Sequence, residues 1–157
     1  MRVIVEGVDG AGKTSVSELL ANELKCNIVR LTKNGNRAIS SYEYLMSAED
    51  VVHDRSFMSE LIYHKYFHTQ SAVSDEGAAY LWNLIEKLDL RVFVLTADYD
   101  EICKRFSARG DEFISDSKIL KEINNEYLNL ANEKGYIVID TTNKTLKQIV
   151  AEMRGYL

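Results

Sequence analysis

A chain of 157 residues, 46% hydrophobic and 27% charged, fits one globular domain with a sizeable core. Its net charge of −5 and pI near 5.3 argue against phosphate tracking along a nucleic acid, and no apolar run approaches membrane-spanning length. Cys26 and Cys103 stand far apart, with no His or Cys at metal-ligand spacing, so both read as small buried hydrophobes.

The chain opens on the apolar run Val3-Ile4-Val5 and passes straight into Gly7-Val8-Asp9-Gly10-Ala11-Gly12-Lys13-Thr14. Arg2 is followed almost at once by that strand, so no signal peptide is expected and a cytoplasmic location is. The glycine-rich stretch has the order and the strand-to-helix setting of a phosphate-binding P-loop. Triphosphate oxygens need inward-pointing backbone N–H donors, and only a turn with little side-chain bulk supplies them. Gly7, Gly10 and Gly12 permit that turn, and Ala11 and Ser15 belong to the same cradle. Lys13, expected to be exposed, brings a point charge to the β- and γ-phosphates, and the Thr14 hydroxyl is placed to ligate Mg²⁺. A glycine-rich turn that binds nothing is the bland alternative.

Val16, Leu19, Leu20 and Leu24 then mark one face of a helix. The runs Ile28–Leu31, Val51–Val52, Val92–Leu95 and Ile137–Ile139 are short and rich in β-branched residues, and stretches of helical periodicity separate them. With Val3–Val5 they predict an α/β P-loop NTPase fold, a buried five-stranded parallel sheet with helices on both faces. Asn34-Gly35-Asn36 marks a loop. The stripes Ile119, Ile123, Tyr127, Ala131 and Leu146, Ile149, Val150, Met153 predict two further helices packed on the core.

Polar residues just beyond the strands are the first candidates for a site, because ligands of open α/β sheets gather at the carboxyl ends. The third strand ends in His53-Asp54-Arg55-Ser56, followed by Ser59, Tyr63 and His64. Facing the P-loop, Asp54 would hold Mg²⁺ through water or orient an acceptor, and Arg55 would clamp a phosphate; otherwise the two form a structural ion pair. Lys104, Arg105 and Arg109 form a second cationic cluster. Arg105 and Arg109 are one helical turn apart and Gly110 supplies a flexible exit, so 104–114 reads as a short lid over the phosphates or as a solvated helix end.

In combination these motifs resemble the thymidylate kinases. Glu6-Gly7-Val8-Asp9-Gly10-Ala11-Gly12-Lys13-Thr14 is similar to their opening, Asp54-Arg55-Ser56 with Ser59 and Tyr63-His64 to their Asp-Arg-Tyr segment, and Glu126-Tyr127-Leu128-Asn129-Leu130-Ala131 before Ile137-Val138-Ile139-Asp140 to their closing helix and strand. The resemblance implies that Asp9 contacts the acceptor sugar or its Mg²⁺-linked phosphate network and that Arg55 binds the acceptor phosphate. It places Ser59 and His64 near the acceptor base, with His64 standing where the family has Gln. It departs most after the second strand, where Thr32-Lys33-Asn34-Gly35-Asn36-Arg37 replaces Arg-Glu-Pro-Gly-Gly. There Lys33 or Arg37 would supply the missing arginine's charge and Tyr42 would stack on a base.

The function this implies is ATP-dependent phosphorylation of a deoxynucleoside monophosphate, dTMP or a related pyrimidine nucleotide, with Mg²⁺. A deoxynucleoside kinase is the alternative, since Asp54-Arg55-Ser56 and Ser59 match that family too; it needs a general base, for which Glu43 is the nearest candidate. The third reading is a nucleotide-binding module without turnover. The expected partners are ATP, a small nucleotide acceptor and at most a second copy of the chain, with no nucleic acid and no membrane.

Overall fold

The computed structural model describes residues 1–31, 38–67, 71–108 and 117–157. Its centre is β1 (Arg2–Gly7), buried from Val3 onward between β3 (Val51–Asp54) and β4 (Arg91–Thr96). Outside β3 lies β2 (Asn27–Arg30), and outside β4 lies β5 (Ile137–Asp140), giving the order β2-β3-β1-β4-β5. Every pairing is parallel, with Val5 opposite Asp54 on one side and Phe93 on the other, and with Arg30 opposite Asp54 at the outer pair. The five-stranded parallel sheet is therefore as the sequence predicts, except that Ile28 and Val138 on the two edge strands are exposed and not buried.

Alternation along β1 sends its side chains to opposite faces. Val3 and Val5 pack with Val16 and Leu20 of α1 (Lys13–Leu24), Tyr127 of α6 (Ser117–Lys134) and Val150 of α7 (Leu146–Arg154). Ile4 packs instead with Met46 of α2 (Ile39–Ser47), Phe57 of α3 (Phe57–Phe67) and Leu81 of α4 (Asp75–Lys87). The remaining helix, α5 (Tyr99–Ala108), adds Ile102 and Phe106 to the first of these cores. No described helix is long and apolar enough to cross a membrane.

In a chain that contains no proline, α4 and α7 start on side-chain caps. Ser74 accepts a hydrogen bond from Gly77 N at the start of α4, and Thr145 and Gln148 form a reciprocal capping box on α7. Three readings need correction. Leu146 is exposed because it opens α7 instead of facing the core, and both cysteines are only half-buried. Tyr42 does not face an acceptor pocket; it is 2% exposed and packs edge-on against Phe57 at 6.1 Å.

Gly7 and Gly12 carry different constraints. Gly7 ends β1 at φ +139°, and a Cβ there would stand 2.3 Å from the Leu95 carbonyl oxygen of the paired strand. Gly12 has φ +93° but open space around the Cβ direction. Gly7→Ala should therefore unfold the protein or lower its stability by about 3 kcal/mol or more, whereas Gly12→Ala should cost only the backbone strain of about 1–2 kcal/mol. Chemical denaturation of the two variants checks this, and equal losses would contradict it.

Candidate active site

The sheet brings the carboxyl ends of β1 and β3 side by side, and with them the P-loop and Asp54-Arg55-Ser56. Between the two stands the Asp9 carboxylate. Arg55 donates to Asp9 Oδ1 through Nη2, and Lys13 Nζ lies 3.6 Å from the same oxygen. Burial by itself would raise the Asp9 pKa, but Lys13 and Arg55 outweigh it and hold the carboxyl down at about 2. Arg55 shows the same balance from the other side: burial opposes its charge, and Asp9 more than restores it.

Lys13 is not the exposed lysine expected. It is 4% exposed, and its Nζ donates to the Val8 carbonyl at 2.8 Å, inside the loop it belongs to. Burial, helped by the nearby charge of Arg55, brings its pKa down to about 8, against the pull of Asp9 and Glu6. The turn around it is made by Gly7, Gly10 and Gly12, all at positive φ, with Ala11 buried and Ser15 exposed on the first turn of α1.

Thr14 and Asp54 meet, Thr14 Oγ1 donating to Asp54 Oδ2 at 2.9 Å. The other carboxylate oxygen, Oδ1, is buried and has no hydrogen-bond partner among the described residues. A hydroxyl next to a carboxylate with an unsatisfied oxygen is a donor set suited to a hard divalent cation, so these residues fit Mg²⁺. Arg30, at the end of β2, adds a positive charge 3.6 Å from Asp54 Oδ2 and is also tied to Glu18 of α1. His53 precedes Asp54 and points to the other face of β3; burial holds its pKa near 4, so it is neutral.

Arg55 takes up φ +75°, a left-handed conformation that is costly for a residue with a Cβ. Its guanidinium lies over the Tyr63 ring, 5.4 Å from the centroid, and donates to Ser59 Oγ at 3.4 Å. The Tyr63 hydroxyl in turn accepts from Asp9 N at 3.1 Å, which ties α3 to the P-loop.

Ser59, His64 and Arg105 each make contacts within the protein. Ser59 is 6% exposed and faces the core, where its hydroxyl donates to Glu6 Oε2 at 2.7 Å and lies 2.9 Å from the Tyr127 hydroxyl. His64 turns Nδ1 to the Glu60 carbonyl of its own helix at 3.1 Å. Arg105 does not reach over the P-loop. It binds Glu101 through Nε and Thr141 Oγ1 and O through its two Nη groups, and Thr141 Oγ1 lies 3.3 Å from the Ala11 carbonyl. That geometry braces the P-loop from behind. Arg109, most of the 104–114 lid beyond Ala108, and Lys33, Asn34-Gly35-Asn36 and Arg37 lie outside the described residues.

Sequence reading passed over Glu6 and Thr141 as functional positions and took Tyr127 for plain core. One signal was available for Glu6: a carboxylate closing the run Val3-Ile4-Val5 in a central strand has to find buried donors.

No family model matches the chain. Among curated proteins it is 28% identical to the probable thymidylate kinase of Methanocaldococcus jannaschii, covering 100% of this chain and 95% of that one. It is 33% identical to the SPbeta prophage-derived protein YorR of Bacillus subtilis over 74% of each chain. Among solved structures, that of YorR in complex with phosphorylated GDP superposes with a TM-score of 0.83 at 26% identity, covering 99% of this chain and 95% of that one. Deoxyadenosine kinase from M. mycoides with bound dATP shares the fold, with a TM-score of 0.68 at 15% identity over 99% and 98% of the two chains.

The Lys13 pKa of about 8 gives a pH-dependent signature. Phosphate oxygens favour the charged ammonium, so ATP binding at about pH 8.5 should draw a proton onto Lys13. Calorimetry in buffers of different ionisation enthalpy should show net proton uptake that fades toward pH 7 and is absent in Lys13→Met. Equal uptake in the variant would contradict the assignment.

Proposed function

From a chain that belongs to the thymidylate kinase-like P-loop kinases, we propose an enzyme that moves the γ-phosphoryl group of ATP onto the phosphate of a deoxynucleoside monophosphate, dTMP or a related pyrimidine nucleotide. The observation that carries this reading is the convergence of Lys13 and Arg55 on the Asp9 carboxylate. One cation comes from the P-loop and the other from the end of β3, so two phosphate groups can be received next to each other.

The Gly10-Ala11-Gly12-Lys13 backbone and the Lys13 ammonium receive the donor's β- and γ-phosphates. Lys13 must exchange Val8 O for phosphate oxygen in doing so, and the anion secures its proton. Arg55, already held over Tyr63, exchanges Asp9 for the acceptor's phosphate and points that phosphate's oxygen at the donor. Displaced from Arg55, Asp9 is free to accept from the acceptor sugar. Thr14 Oγ1 and Asp54 would hold Mg²⁺, which when bound offsets the charge on the β- and γ-oxygens.

A phosphate acceptor is already a nucleophile and needs no base. Glu43, the nearest candidate for the base that a nucleoside kinase would require, is engaged elsewhere in this structure, accepting a hydrogen bond from the Tyr80 hydroxyl of α4. That contact supports the monophosphate reading over the nucleoside one. We further propose one catalytic domain in the cytoplasm.

Arg55→Ala tests the acceptor role. Loss of a charged bidentate contact from a desolvated site costs about 3 kcal/mol, so the KM for the monophosphate should rise roughly 150-fold while the KM for ATP changes little. A variant that lost only kcat, with acceptor KM preserved, would favour the nucleoside acceptor.

A further inference from the structure

Arg55 is strained, half-buried and placed at the junction of the two proposed phosphate sites, so something must hold it when Asp9 lets go. Its backbone is pinned on both sides of the left-handed φ: Arg55 N donates to Val5 O at 3.0 Å, and Ser56 N donates to Glu6 Oε1 at 2.6 Å. Glu6 is fully buried and accepts three further bonds, from Ser56 Oγ at 2.7 Å, Ser59 Oγ at 2.7 Å and Tyr127 OH at 3.1 Å. Both carboxylate oxygens are thereby used, one on the loop after β3 and the other on α3 and α6.

The donor inventory gives this network a direction. Ser59 has one proton and two lone pairs; with its proton on Glu6 Oε2, a lone pair faces Arg55 Nη1 at 3.4 Å. Replacing the carboxylate by an amide would present an N–H to a hydroxyl and let Ser59 turn its proton toward the guanidinium. The same Ser56 hydroxyl that Glu6 fixes accepts from Met58 N in the first turn of α3, the helix that carries Ser59 and Tyr63. Glu6 thus controls the backbone strain, the Ser59 orientation and the start of the helix that forms the Arg55 seat.

We propose that Glu6 is a positioning residue for the acceptor phosphate, acting on the Arg55 guanidinium through Ser56 and Ser59 without touching substrate. This rests on Arg55 receiving the acceptor's phosphate. Asp9 and Glu6 then have separate tasks: Asp9 occupies Arg55 until substrate arrives, and Glu6 keeps the guanidinium in place once Asp9 is displaced.

The test compares Glu6→Gln and Ser59→Ala with Arg55→Ala and with Leu84→Ala, a core variant of α4 remote from the site. Misplacing Arg55 should raise the monophosphate KM at least about tenfold in both Glu6→Gln and Ser59→Ala, with the KM for ATP within about twofold of wild type. Leu84→Ala should lose thermal stability without that split, which separates positioning from loss of folded protein. Ser59→Ala keeps the proposal open to refutation if Glu6→Gln does not fold. A wild-type acceptor KM in Ser59→Ala or in folded Glu6→Gln, alongside a raised one in Arg55→Ala, would overturn the positioning role and leave the acceptor reading standing. An unchanged acceptor KM in Arg55→Ala would overturn both.

Discussion

The ion cluster of Lys13, Asp9 and Arg55 is the constraint to which the rest of the site is fitted. A buried ammonium and a half-buried guanidinium are costly to hold together without an anion, because desolvation and their mutual repulsion both act against them. Asp9 supplies that anion in the free protein. A phosphate brings more charge and more acceptor oxygens than one carboxylate, so the cations have a reason to leave Asp9 when nucleotides bind. The sheet makes this exchange local, since Val5 and Asp54 are paired in register and the loops after β1 and β3 begin side by side.

Around that cluster the architecture is a set of braces on loops that carry no regular backbone ladder. Tyr63 ties α3 to Asp9 N, Glu6 ties β1 to the start of α3, and Arg105 with Thr141 ties α5 to the strand end behind Ala11. Each brace joins segments far apart in sequence, so the site forms only once the sheet is complete. Preorganisation of this kind holds Lys13 and Arg55 beside Asp9 in the free protein.

Much of this was legible in the sequence. The five short apolar runs mark the strands, and the P-loop with Asp54-Arg55-Ser56 marks the candidate site, because glycine spacing and strand-end polarity are local signals. Burial of Lys13 was not legible, since a P-loop lysine folds back on Val8 O only through the three-dimensional turn. Nor was the inward turn of Ser59, which depends on Glu6 and Tyr127, 53 and 68 residues away. Tyr42 and Arg105 were misread for the same reason: a tyrosine or arginine of suitable type near a site does not reveal which neighbour it will meet. The α4 helix was missed as an element although Ser74, Asp75 and Glu76 mark its start.

The central claim is that the acceptor carries its own phosphate into a seat made by Arg55. Release of ADP by the wild-type enzyme with Mg²⁺ and ATP, followed across deoxynucleosides and their monophosphates, tests it most directly. The account predicts turnover with dTMP or another pyrimidine deoxynucleoside monophosphate and none with free thymidine. Phosphorylation of thymidine without phosphorylation of dTMP would contradict it.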